Sequence, residues 1–155
     1  MAGAAANMKW ATLLAITLAS LAACTTGFTR KDDYKQEAEL QVANEEASVS
    51  CVGQKSCDVI WQRTRSYVAQ HSVAIIRRAD DAIIETKIPH QFGVVYIWAS
   101  RTPASDDPAS SIIKLHVMCR GMYESDGSRG WMYGNCARQV IEVERGFHRF
   151  SVGDD

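Results

Sequence analysis

Cys24, Cys51, Cys57, Cys119 and Cys136 are the side chains with the most chemistry to offer in this chain. A thiolate attacks electrophiles or holds soft metals, whereas paired thiols form a disulfide. Nucleophilic catalysis needs such a group, or a serine, beside a positioned base. No Gly-x-Ser-x-Gly turn occurs. His71, His90, His116 and His148 are scattered, without His-Glu-x-x-His or comparable ligand spacing, and read as surface or loop residues. Tandem acids occur at Asp32-Asp33, Asp80-Asp81 and Asp106-Asp107. Hydrolysis by paired carboxylates needs two groups converging across a cleft, whereas neighbouring acids in turns accept local backbone amides. Glu85 differs, because Ile84-Glu85-Thr86 lies in a β-rich run where it reads as an outward-facing residue. There is no Gly-rich phosphate loop. The expectation is a chain with no catalytic group, no metal site and no small-molecule substrate. Two surface features remain. Arg77-Arg78 and Lys87 cluster at one hairpin, and Trp131-Met132-Tyr133 offers the aromatic and flexible apolar groups enriched in interface cores.

Cys24 stands apart from the other thiols. Met8-Lys9 precedes an apolar run from Trp10 to Ala23, and small residues end it. That order marks a secretory signal. The run is shorter than the roughly 20 residues that cross a bilayer, and apolar residues on all its sides, with no polar face, argue against a core helix of the domain. Met8 also reads as a more natural start than Met1. Leu21-Ala22-Ala23-Cys24 resembles a bacterial lipobox. The resemblance implies a diacylglycerol group on the Cys24 thiol, cleavage before it and, usually, acylation of the new amine. Each buried methylene contributes about 0.8 kcal/mol, so two or three chains anchor far more firmly than one. The residue after the cysteine is Thr25. An Asp there resembles the inner-membrane retention signal of enterobacterial lipoproteins, so the expected address is the outer membrane, with the domain facing the periplasm.

An exported chain meets an oxidising compartment. Four remaining cysteines allow three connectivities, of which proximity favours Cys51–Cys57 and Cys119–Cys136. The second pair would close a loop of about 18 residues, a contribution of about 3 kcal/mol. Zinc is the rival reading, but neither pair has Cys-x2-Cys spacing.

The whole chain has 17 basic and 18 acidic residues, and loss of Lys9 with the leader leaves 16 basic ones. So even a balance argues against nucleic acid as a partner and leaves the lipid as the membrane attachment. Residues 24–50 are poor in large apolar groups and read as a polar tether with a mean reach of roughly 25–30 Å, part of it a solvated helix near Asp33–Glu46. The folded domain is expected over residues 51–155.

Ile60, Trp61, Thr64, Tyr67 and Val68 recur at helical spacing, giving a helix over about 54–71 with Asp58 as an N-cap or first-turn acid. Residues 73–78 and 82–88 form a hairpin, 93–99 and 111–119 two further strands. Cys136, Val140, Val143 and Phe147 fall on one stripe of a closing helix, although Val140-Ile-Glu-Val143 also fits a strand. The sum is an α+β domain with an N-terminal helix, a four-stranded antiparallel meander, a C-terminal helix and two disulfides.

The pattern Cys51-x5-Cys57-x3-Trp61, followed by a helix and a hairpin ending Ile84-Glu85-Thr86-x-x-Pro89, resembles small uncharacterised lipoproteins of proteobacteria. Those are similar in carrying two further cysteines near the end, though Cys119 and Cys136 stand further apart here. The resemblance implies no activity. The expected role is protein binding, as an accessory or structural component of the cell envelope. The alternative is a periplasmic inhibitor or immunity protein against a toxin or cell-wall hydrolase.

Overall fold

In the computed structural model the described residues are 34–153. The leader, Cys24 and the first part of the expected tether lie outside them. The chain divides into two compact units, Met1–Ala38 and Glu39–Asp155. Of the first, residues 34–38 are described, and they are helical. In the second unit, residues 39–46 continue as helix (α1). They are followed by β1 (Ser48–Cys51), α2 (Gln54–His71), β2 (Ile76–Ala79), β3 (Ile83–Thr86), β4 (Val95–Pro103), β5 (Ser111–Cys119) and α3 (Tyr133–Val152).

The strands make one five-stranded antiparallel sheet, ordered β1-β5-β4-β3-β2. From β2 to β5 it is the meander the sequence predicts. The correction is β1, which pairs with β5 from Ser48 opposite Lys114 to Cys51 opposite Ser111. The folded unit therefore begins well before Cys51, and the tether reading fails over residues 39–50. Ala43, Ala47 and Val49 are buried, and Leu40 packs on the same core. Alanine supplies the contact there, so a helix rich in acids on its other faces still has an apolar stripe.

Side chains alternate across each strand. Val95, Ile97 and Ala99 of β4 and Ile113, Leu115 and Val117 of β5 point inward, to the core shared with α2 and α3. α2 covers the predicted residues and buries Cys57, Trp61, Thr64, Tyr67 and Val68. Its N-cap is Gly53, with φ 79° and no side-chain cap, and its first turn holds no acid, so Asp58 is neither the cap nor a first-turn acid. α3 resolves the ambiguous tail as helix, with Cys136, Val140, Val143 and Phe147 all buried.

The hairpin is shorter than predicted, since Val73 and Ile75 are exposed and precede β2. At its turn Asp80 accepts the amides of Ala82 and Ile83, at 3.0 and 2.8 Å. Thr86 closes β3: its hydroxyl donates to the Ile97 carbonyl and accepts the Ile97 amide. Both disulfides favoured by proximity are present, Cys51–Cys57 and Cys119–Cys136, with Cα atoms 5.2 and 5.4 Å apart.

Candidate interaction surface

The outer face of the sheet carries an unusual amount of ring. Tyr96 and Trp98 alternate outward on β4, and His116 and Met118 stand opposite them on β5. Trp98 and His116 stack with centroids 5.1 Å apart and planes 11° from parallel, and Tyr96 lies 6.3 Å along the row from Trp98. Burial, then the nearby Lys114 ammonium, holds the His116 imidazole below its ordinary range. Burial raises the Tyr96 phenol.

At the end where β4 begins and β5 stops, the row opens into a cleft of about 560 Å³. Ile88, Phe92, Tyr96, Met118, Arg120 and Trp131 are among its lining residues. Trp131 is 75% exposed and Phe92 54%, with ring centroids 5.8 Å apart. The Arg120 guanidinium lies 5.5 Å from the Phe92 centroid, within cation–π range.

Loop backbone in the left-handed region sets these rings in place. Gly93 and Gly121 have φ 78° and 81°. A Cβ on Gly121 would come 2.5 Å from the Phe92 ring, and one on Gly93 2.5 Å from the Met132 methyl. The Gly93 amide donates to the Arg120 carbonyl and the Arg120 amide to the Val94 carbonyl, at 2.8 and 3.0 Å. The Cys119–Cys136 bridge then ties the end of β5 to the first turn of α3, closing the loop that carries Trp131.

The expected surface residues are thus split. Trp131 is on the cleft and Met132 is half-buried. Tyr133 is a correction: it opens α3, is only 6% exposed and packs edge-on against Tyr123. Arg77 and Arg78 are not among the residues lining the cleft. They lie on β2, where Arg77 pairs with Glu85 and Arg78 donates to Asp80 at 2.6 Å. Phe92, Ile88, Tyr96 and Met118 were not singled out from the sequence. Ile88 and Phe92 lie in the β3–β4 loop, Tyr96 in β4 and Met118 in β5, and the sheet register sets Met118 opposite Tyr96.

The acids meet structural tasks. The Ala82 amide first, then Arg78 and the Ile83 amide, hold the Asp80 carboxyl below its ordinary range. Asp107 is lowered by the Ser110 hydroxyl and the Ala109 amide. Asp32 and Asp33 lie outside the described residues. Glu85 stands half-buried on the outer face opposite Trp98. A second, polar cleft of about 610 Å³ lies by α2, with Arg101 and Asp58 joined across it at 2.7 Å. Among the described residues no group of three His, Cys, Asp or Glu side chains could hold a metal, and no helix is long and apolar enough to cross a membrane. Compared with protein-family models, with curated proteins and with solved structures, the chain matches none.

Proposed function

We propose that this chain is an envelope lipoprotein, anchored through Cys24 to the outer membrane, that acts by binding another protein through the Phe92–Trp131 cleft. The observation that carries the binding role is the cleft itself. Large apolar side chains standing exposed together around a concavity, rimmed by charge, mark interaction sites more often than they occur by chance. Trp and Arg are among the side chains enriched where binding energy concentrates, and Trp131 and Arg120 both line this cleft. The anchoring role rests on Leu21-Ala22-Ala23-Cys24 and the apolar run before it.

The test is a photo-reactive residue placed at Trp131 in the lipidated protein, with Ser66 on the exposed side of α2 as the control position. Discrete adducts with a stoichiometric set of envelope proteins, from position 131 alone, are the expected result. Equal labelling from both positions would remove the cleft as the binding surface. A single toxin or wall hydrolase, inhibited by the purified domain, would make the protein an inhibitor instead.

A further inference from the structure

Glu144 is a carboxylate in the core. It sits in α3 and is 2% exposed. Its Oε1 accepts the Asn44 side-chain amide of α1 at 3.1 Å and the Val117 backbone amide of β5 at 3.4 Å. Its Oε2 is buried without a hydrogen-bond partner. The register of the sheet explains the placement. β1 covers β5 only as far as Ser48 opposite Lys114, and the Leu115 amide still reaches the Ala47 carbonyl. The chain has then turned into α1, so no strand receives the Val117 amide and the carboxylate does. A buried backbone amide needs some acceptor. On the same corner the Lys114 ammonium donates to the Asn44 carbonyl at 2.6 Å, so α1 is fastened through Asn44 twice.

A carboxyl placed like this is better accommodated neutral than charged. Neutral, its carbonyl oxygen still accepts both N–H groups. Charged, Oε2 carries anionic density with no donor, and water is the remedy open to it. We propose that Glu144 is a proton-operated latch: neutral, it holds residues 39–47 against α3 and β5, and charged, it loosens them.

Burial pushes the Glu144 carboxyl above its ordinary range, against weaker opposing pulls from the Asn44 amide, the Val117 amide and Lys114. The other ionisable groups on the surrounding elements stand elsewhere. Glu45 and Glu46 of α1 are exposed and Glu39 at its start is half-buried; Arg138, Glu142, Arg145, His148 and Arg149 of α3 are exposed, while His116 lies on the outer sheet face. β1 carries none that titrates, Cys51 being in its disulfide. Because the folded-state value is raised, the attachment is at full strength below the ordinary glutamate value of about 4.3. It is lost as pH rises through the folded value.

Amide hydrogen exchange on the full chain between pH 4.5 and 8, corrected for intrinsic exchange, tests this. Protection of residues 39–47 and Val117 should fall with rising pH, by at most about tenfold per unit for one proton, while the middle of α2 stays constant. In Glu144→Gln the same amides should be independent of pH and better protected at pH 8 than in the unaltered protein. Lys114→Met removes the cation that favours the charged form, so it should widen the pH range over which protection falls. Should Glu144→Gln fail to fold, carboxyl-carbon NMR on the unaltered protein decides. A Glu144 midpoint above the ordinary range, tracking the exchange data, supports the latch. A midpoint in the ordinary range, or a Gln variant with the same pH dependence, overturns it.

Discussion

Gly146 of α3 faces Tyr67 of α2. A Cβ at that position would stand 2.6 Å from the Tyr67 hydroxyl, which donates to the Val143 carbonyl at 2.7 Å. Gly146→Ala should therefore destabilise by about 1–3 kcal/mol through overpacking. The loss should shrink when Tyr67→Phe removes the oxygen it strikes. Chemical denaturation of the double-mutant cycle measures this, and strictly additive losses would show that the two positions do not meet. His116 gives a prediction of a different sort. Its imidazole is held below the ordinary range by burial first and Lys114 second, so the folded state favours the neutral ring. The stability this contributes is present above the unfolded value of about 6.5. It is lost as pH falls from there towards the folded value. Denaturation midpoints at pH 7 and pH 5 should drop further in the unaltered protein than in His116→Gln, whose side chain does not titrate in that window. Equal drops would sink the assignment.

At the scale of elements, legibility followed apolar periodicity. α2 and α3 carry bulky side chains at helical intervals, and β5 alternates Ile113, Leu115 and Val117 inward, so each is written locally. α1 and β1 are not. Ala43, Ala47 and Val49 are too small, and their neighbours too polar, for the segment to resemble a core element until β5 is beside it. The same holds for the cleft. Trp131 could be found as an aromatic in a loop, but Phe92 and Met118 gain their meaning from a register that no short window contains. The late start of the domain has a measurable consequence. A chain beginning at Cys51 uncovers the β5 edge and leaves Glu144 without Asn44, so it should unfold at lower denaturant than one beginning at Glu39. Equal midpoints would return residues 39–50 to the status of a tether. Loss of the Cys119–Cys136 bridge by paired substitution to Ala should cost about 3 kcal/mol. Trp131 fluorescence should change with it, since that bridge joins the two elements that bracket its loop.

For the whole molecule, the proposed function gives attachment to an acyl group at Cys24 and recognition to an aromatic cleft on the outer side of the sheet. Cys24→Ser should abolish acylation, shown by the mass of the N-terminal peptide, and move the protein out of the detergent phase. It should leave the denaturation midpoint of the domain unchanged. Retention in the detergent phase would remove the anchor from the account. The near balance of charge adds no competing attraction to anionic surfaces. β2 forms one edge of the sheet. β2 is four residues long, its register slips between Ile76 and Arg78, and the exposed Val73 and Ile75 lie immediately before it. An open strand flanked by aliphatic side chains invites a second molecule to pair with it, and the growth of such pairs does not stop at two. A short, irregular strand bearing two guanidinium groups is poor at templating another. Arg77 and Arg78, which look like a docking patch in the sequence, are thus better understood as guards that keep neighbouring copies from joining sheet to sheet.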